Sequence, residues 1–137
     1  MTDAAAAETL VRRYYDAFNA GDAEGMLALL SEGVRHDVNQ GGVRLGKAAF
    51  RAFAEHMARC YSEILEDVVV MAAPDGRRAA AEFTVRGAYL ATDEGLPEAR
   101  GQTYRLPAGA FFEIHDGAIA RVTTYYNLRD WIAQVSA

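Results

Sequence analysis

Beyond residue 61 the apolar residues of this chain change from a helical period to the alternation of strands. The segments that follow are rich in Val, Phe, Tyr and Ile, which favour extended structure, and strands are predicted over residues 64–73, 77–91, 102–115 and 118–126. Two connections, Asp75-Gly76 and Asp116-Gly117, have the composition of tight hairpin turns. A meander of this length predicts a curved, mostly antiparallel sheet, which needs helices to cover one of its faces.

The first part of the chain supplies those helices. Apolar residues recur at helical spacing and predict helices over residues 4–19, 23–30 and 47–61, with a short C-terminal helix over 128–135. Between the first two, Gly21 suits the left-handed end of one helix and Asp22 can cap the next. A further strand is predicted over residues 34–39, and residues 41–46 and 92–101 are predicted to be mobile loops. This order predicts a single α+β domain over residues 1–137.

Composition restricts the kinds of partner. The chain carries 14 basic and 19 acidic residues, a net charge of −5, and its basic residues form no stripe, so we expect no binding to nucleic acid or to anionic membranes. No apolar run approaches the length that spans a bilayer, and the first residues lack the basic and apolar segments of a signal peptide. We therefore expect a cytoplasmic protein.

Metal and thiol chemistry are not favoured by the sequence. Cys60 is the only cysteine, so the chain can form no internal disulfide, and its thiol has no evident base partner. The three histidines, His36, His56 and His115, share no metal-ligand spacing. We expect no metal and no cofactor.

Several short motifs extend over nearly the whole chain. The most specific is the corner Asn19-Ala20-Gly21-Asp22 between two helices. The others are Arg13-Tyr14, Gly25, Ala28-Leu29-Leu30, His36-Asp37, Phe53, Phe83-Thr84-Val85 and Phe112. With the order of elements, these motifs resemble the nuclear transport factor 2-like superfamily, and within it ketosteroid isomerase and its SnoaL-like relatives. The resemblance implies a cone-shaped half-barrel wrapped on the N-terminal helices, and usually a homodimer through the outer face of the sheet.

The resemblance also implies catalytic roles. In the isomerases a tyrosine on the first helix donates a hydrogen bond to the substrate oxygen, an aspartate on the first strand moves the proton, and a protonated acid completes the oxyanion hole. Tyr14 and Asp37 stand at the first two positions, but Ala110 stands where the buried acid is expected. Loss of one such donor typically lowers the rate by about two to three orders of magnitude, which argues against ketosteroid isomerisation itself.

The strand period makes Asp37 a candidate pocket residue on its own account. Arg35, Asp37 and Asn39 share one face of the predicted strand, and His36 and Val38 share the other. We expect the first face to line the cavity, which would make Arg35 and Asn39 substrate-binding residues and His36 a surface or interface residue. The alternative is an edge strand whose charges meet water. Tyr14 has its own alternative, a core tyrosine whose hydroxyl finds a neighbouring acceptor.

The remaining candidates are predicted from shared strand and helix faces. Gly87 stands among large side chains, which suggests a bend of the sheet or space for a ligand. Asn127 is predicted to cap the final helix, and the alternative is that Tyr126 and Asn127 border the cavity where the last strand ends. The residues expected to line the cavity and bind substrate are Phe53, Met57, Phe83, Val85, Ala108, Ala110, Phe112 and Tyr126, although each could equally be core packing.

Three functions remain open at this point. The first is an enzyme that moves a proton on a small, largely apolar carbonyl compound, by isomerisation, cyclisation or dehydration. The second is a non-catalytic binding or assembly module, which the alanine at position 110 favours. The third is epoxide opening by an activated water, for which the strands supply no evident set of residues.

Overall fold

The computed structural model describes residues 3–137. Four helices are present in that range: α1 (Ala4–Asn19), α2 (Ala23–Leu27), α3 (Lys47–Cys60) and α4 (Leu128–Ser136). Six strands accompany them: β1 (Leu30–Val38), β2 (Val43–Leu45), β3 (Tyr61–Ala72), β4 (Arg78–Tyr89), β5 (Thr103–His115) and β6 (Ala118–Tyr126). No helix among these is long and apolar enough to cross a membrane.

The strands form one sheet in the order β2-β1-β6-β5-β4-β3. Only the β1–β6 pair is parallel, because β1 comes from the helical part of the chain and joins the meander beside its last strand. Helix α1 packs on β3 and β4, α3 packs on β1 to β3, and α4 packs on β5. The predicted α+β cone, with a mostly antiparallel sheet wrapped on N-terminal helices, is therefore confirmed.

The corner after α1 connects the helices to the sheet. Gly21 has φ +70°, and the side chain of Asp22 accepts a hydrogen bond from the backbone N–H of Gly25 at 2.9 Å, as predicted. Asn19 exchanges two hydrogen bonds with the backbone of Leu65 on β3, at 2.9 and 3.0 Å. The asparagine thus fixes the end of α1 against the sheet.

Several boundaries differ from the prediction. Helix α2 ends at Leu27 rather than at residue 30, because Leu30 already pairs with Ile119 as the start of β1. Residues 43–45, predicted to lie in a loop, form the edge strand β2 against β1. Strand β3 begins directly after α3, three residues earlier than predicted.

A bulge in β3 sets the register of the middle of the sheet. Asp67 has φ +53°, and the pairing with β4 shifts by one residue between Glu66 and Val69. The shift puts Glu63 opposite Gly87. As a consequence, odd-numbered residues of β3 face the helices before the bulge and even-numbered residues face them after it.

Candidate active site

The helices and the concave face of the sheet enclose a cavity of about 740 Å³. Its wall is mainly apolar and aromatic, which is typical of a site for a small organic ligand. Seven of the residues predicted to line the cavity lie in this wall: Tyr14, Phe53, Met57, Phe83, Val85, Ala108 and Tyr126. The loop over residues 92–101 borders the cavity through Asp93 and Leu96.

The prediction for strand β1 is wrong about which face points inward. His36 and Val38 line the cavity, whereas Arg35, Asp37 and Asn39 lie on the other side of the sheet. The signal for this was Val34, which is fully buried and shares the His36 face. Burial of the apolar residues at positions 34 and 38 decides which face of β1 points inward, and the polar residues on the opposite face then point outward.

Asp37 belongs to a row of residues on the outer face. Its register neighbours are Thr123 on β6 and Val43 on β2, and Thr123 is followed by Phe111 on β5. One carboxylate oxygen, Oδ2, accepts hydrogen bonds from Arg35 and from Thr123, both at 3.1 Å. Asp37, the predicted base, therefore does not line the cavity.

Ala110 and Phe112 face the helices but do not line the cavity. Both side chains are fully buried. The ring of Phe112 packs edge-on against Tyr14 and Tyr15, each with centroids 5.8 Å away. Their predicted place in the ligand-contacting wall is wrong, and for Phe112 the reason is that side chains of helix α1 cover its ring.

A carboxylate that is not among the predicted site residues points into the cavity. Glu63 lies on β3 in one row with Gly87 on β4 and Tyr104 on β5. The hydroxyl of Tyr104 donates to Glu63 Oε2 at 2.5 Å. Burial raises the pKa of Glu63, although the hydrogen bond from Tyr104 opposes that rise. A half-buried carboxylate of raised pKa in a cavity has the properties of a general acid or base.

Gly87 is what allows Tyr104 to reach Glu63. A Cβ at position 87 would lie 2.5 Å from both Cζ and the hydroxyl oxygen of Tyr104, so the tyrosine ring crosses the strand above the glycine. The missing side chain at position 87 thus makes room for a hydrogen bond between strands β5 and β3.

Gly87→Ala is expected to displace Tyr104, to destabilise the fold by about 1–3 kcal/mol through overpacking, and to raise the pKa of Glu63 further. Tyr104→Phe should raise the same pKa without the clash, so adding Gly87→Ala to it should leave that pKa unchanged. Urea unfolding and ¹³C NMR titration of the glutamate measure the two effects. Gly33→Ala, whose Cβ would meet nothing within 4 Å, is the control. A Glu63 pKa that neither substitution moves would contradict this account.

Aromatic and acidic side chains surround the Glu63 row. Burial, with the charges of Glu63 and Asp93, raises the pKa of Tyr126. Tyr61 donates to Asp93 Oδ2 at 2.7 Å, and burial with this bond raises its pKa as well. Both hydroxyls therefore stay protonated at neutral pH and can act as hydrogen-bond donors.

A second polar group in the cavity wall is His36. Its ring contacts Phe50 and Phe53, with centroids 4.8 and 4.7 Å away, and its Nδ1 is buried with no hydrogen-bond partner in residues 3–137. Burial, helped by the charge of Arg44, lowers the pKa of His36 from 6.5 to about 4. The ring is therefore neutral at neutral pH.

His36→Leu is expected to flatten the acid side of the pH–stability profile. Between pH 6.5 and about 4 the unfolded chain binds a proton at His36 that the folded chain does not, so the wild type loses stability as the pH falls through this window. The loss amounts to about 3 kcal/mol at the acid end, since one pKa unit corresponds to about 1.4 kcal/mol. Urea unfolding from pH 7 to pH 4 measures it. His115→Leu, at an exposed position, should keep the wild-type slope, and an unchanged slope in His36→Leu would refute the assignment.

The final helix and the end of α3 complete the site. Asn127 accepts a hydrogen bond from the backbone N–H of Asp130 at 3.0 Å, so its predicted role as N-cap is confirmed.

Near the end of α3, His56 and Cys60 lie close together, with His56 Nε2 3.9 Å from Cys60 Sγ. The expectation that Cys60 has no neighbouring base is therefore wrong, and their spacing of four residues on one helix was the signal for it.

Comparison with known proteins agrees with this architecture. Residues 11–122 match the family model of the SnoaL-like domain. A proposed polyketide cyclase from Pseudomonas putida is 66% identical to this chain, with 98% of each chain covered and a TM-score of 0.94. Another proposed polyketide cyclase, from Silicibacter sp., is 61% identical, with 100% of each chain covered and a TM-score of 0.95. A proposed ketosteroid isomerase from Kribbella flavida shares 26%, covering 93% of this chain and 82% of its own, with a TM-score of 0.66. Among curated proteins no significant match is found. The resemblance stated from the sequence is confirmed.

Proposed function

Because the chain belongs to the SnoaL-like domain family, we propose that it is a proton-transfer enzyme acting on a small, largely apolar carbonyl compound held in the cavity. The observation that carries this proposal is Glu63, a carboxylate of raised pKa at the wall of an aromatic cavity with a tyrosine hydroxyl bonded to it. In this proposal Glu63, rather than Asp37, is the base.

The proposed step is enolate formation. The Glu63 carboxylate removes a proton from the carbon next to the carbonyl, the electron pair of the broken C–H bond forms the carbon–carbon double bond of the enolate, and the π pair of the carbonyl moves onto its oxygen. Tyr14 and Tyr126 line the same cavity, and burial raises the pKa of both, so they are protonated donors suited to the developing oxyanion. In ring closure the enolate carbon attacks a second carbonyl of the substrate, and the alkoxide that forms takes the proton from Glu63. In isomerisation a conjugated enolate takes the proton from Glu63 at another carbon.

Ring closure is the outcome that we favour. Two similar proteins, 66% and 61% identical to this chain, are proposed polyketide cyclases. The position at which isomerases of this superfamily hold their second acid is Ala110 here, fully buried behind the cavity wall. The alanine supplies no donor for an isomerase-type oxyanion hole, which supports cyclisation over isomerisation.

Exchange of carbon-bound hydrogen with solvent tests the proposal without knowledge of the natural substrate. The full chain would be incubated in D₂O with a panel of β-diketones and cyclic ketones, and the loss of α-proton signals followed by ¹H NMR. We expect enzyme-dependent loss with at least one ketone. Ketones that shift protein resonances but exchange no faster than in buffer would instead support the second candidate, a non-catalytic binding module.

We also propose that the chain forms a homodimer through the outer face of the sheet. Phe111 and Tyr125 stand there 49% and 43% exposed, with their rings edge to face at 5.6 Å. Two charge pairs lie on the same face of the sheet: Arg121 with Glu113 on β6 and β5, and Arg35 with Asp37 on β1. The same face also exposes Val43 on β2 and Val69 and Met71 on β3, and an exposed apolar group of this kind favours self-association.

Phe111→Lys is expected to convert the dimer to a monomer, because it places a charge in the apolar part of the proposed interface. Sedimentation equilibrium measures the change. Leu90→Lys, an exposed apolar position at the cavity mouth, is the matched control and should leave the dimer intact. A monomeric wild type would contradict the proposal.

A further inference from the structure

Three chemically different ligand atoms converge beside the cavity, and none of them belongs to the proton-transfer step. They are Nε2 of His56, Sγ of Cys60 and a carboxylate oxygen of Asp93, all within 4.8 Å of one another. His56 and Cys60 come from the last turn and a half of α3, and Asp93 comes from the loop that borders the cavity.

The local structure brings the three groups together for separable reasons. A spacing of four residues on a helix places His56 and Cys60 on the same face. The backbone N–H of Asp93 donates to the Tyr89 hydroxyl at 2.9 Å, which holds the loop over the end of α3. Tyr61 donates to Asp93 Oδ2 at 2.7 Å, so the other oxygen, Oδ1, is turned toward His56.

The geometry does not suit a thiol nucleophile with its base and orienting acid. In such an arrangement the thiol and the carboxylate bind different nitrogens of the imidazole ring. Here Asp93 Oδ1 and Cys60 Sγ approach the same nitrogen, Nε2, at 2.8 and 3.9 Å. Nε2 cannot hydrogen-bond to the thiol as its base and to the orienting carboxylate at the same time. The nitrogen, the sulfur and the carboxylate oxygen can, however, all bind one cation placed between them.

We propose that His56, Cys60 and Asp93 form a binding site for a divalent transition-metal ion of the zinc type. In a tetrahedral zinc site, with Zn–N about 2.0 Å and Zn–S about 2.3 Å, the nitrogen and sulfur ligands lie about 3.5 Å apart. The observed separation of 3.9 Å between His56 Nε2 and Cys60 Sγ is within a small side-chain adjustment of that value. The mixed nitrogen, sulfur and oxygen donors select zinc or cobalt over magnesium or calcium.

Two further features fit a bound cation. The hydrogen bond from Tyr61 to the non-ligating oxygen of Asp93 is the kind of outer contact that orients a metal-bound carboxylate. The side chains of His56 and Asp93 are 38% and 21% exposed, which leaves a path for an ion to enter and a position for a fourth ligand. Binding would release the thiol proton of Cys60, so the affinity should increase with pH.

Cobalt(II) is the probe that tests this site without any assay of activity. The full chain, freed of metal with a chelator, would be titrated with Co²⁺ at pH 7.5 and followed by absorption spectroscopy. We expect a thiolate-to-cobalt charge-transfer band in the near ultraviolet and the intense visible bands of a four-coordinate ion. Because Cys60 is the only cysteine, the charge-transfer band itself identifies the ligand.

Variants at each ligand separate a three-residue site from binding by one residue. Cys60→Ser should abolish the charge-transfer band, and His56→Gln and Asp93→Asn should each weaken cobalt binding by more than about tenfold. His115→Gln, at an exposed turn, is the control and should bind as the wild type does. Far-UV circular dichroism checks that each variant is folded. Absence of the band in the wild type, or a titration midpoint that either His56→Gln or Asp93→Asn leaves unmoved, would overturn the proposal.

Discussion

Replacing Glu63 with glutamine is expected to lower the rate of ketone α-proton exchange by about 10²–10⁴, the usual contribution of a general acid or base. Glutamine keeps the shape of the side chain and can still accept the hydrogen bond that Tyr104 donates at 2.5 Å. Ligand affinity should therefore change little while turnover falls. The comparison of the exchange rate with the dissociation constant, both from NMR, separates loss of the base from damage to the cavity.

Two carboxylates on the outer face serve as comparisons for this variant. Asp37→Asn removes the base predicted from the family resemblance, and Glu82→Gln removes an exposed carboxylate of β4. Neither lines the cavity, so both should retain wild-type exchange. If Asp37→Asn abolishes exchange while Glu63→Gln retains it, the assignment of the base to Glu63 is wrong and the role returns to Asp37.

The pH dependence of exchange gives a second test of the same residue. Burial raises the pKa of Glu63, so its carboxylate form is populated at higher pH than that of an exposed glutamate. The rate should rise with pH through that raised value. In Tyr104→Phe the opposing hydrogen bond is absent, so the midpoint should move to still higher pH.

The architecture could be predicted from the sequence because its signals are local. Helical spacing up to residue 60, strand alternation after it and the Asn19-Ala20-Gly21-Asp22 corner each act within a few residues. The predicted end of α2 is wrong because Leu29 and Leu30 fit the helical spacing, whereas Leu30 pairs with a strand about ninety residues later in the chain. Edge strand β2 was missed for the same reason: three residues carry too short a pattern.

The site could be predicted only in part, because register decides which side chains meet. The hairpin turn at Asp75-Gly76 pairs Val69 with Glu82, and a regular strand continued from that pair would place Glu63 opposite Ala88. The bulge at Asp67 shifts the pairing by one residue, so Glu63 lies opposite Gly87 instead. The row that brings Glu63 to Tyr104 therefore depends on one inserted residue. A signal did exist in the sequence, since Tyr61, Glu63 and Leu65 alternate on one face of the strand.

The sequence does not distinguish an apolar residue of the core from one that lines the cavity, as Phe112 and Phe53 show. Both were expected to contact a ligand, but Phe112 is fully buried against Tyr14 and Tyr15, while Phe53 is half-buried at the cavity with Arg44 4.5 Å above its ring. In the sequence each is a phenylalanine on an apolar face. What separates them is the position of α1, which covers Phe112 and leaves Phe53 open.

Phe112→Ala is therefore expected to lower the free energy of unfolding by about 3–5 kcal/mol, the usual loss for a large aromatic side chain removed from a packed core. Phe53→Ala should lower it by only about 1 kcal/mol, because part of that ring already faces the cavity. The order reverses for binding: Phe53→Ala should weaken the best-binding ketone of the panel by roughly tenfold, about 1.4 kcal/mol of lost contact. Urea unfolding and NMR titration measure the two quantities at a temperature where both variants are folded. A Phe112→Ala protein that keeps its stability but loses ligand affinity would show that this ring belongs to the binding site after all.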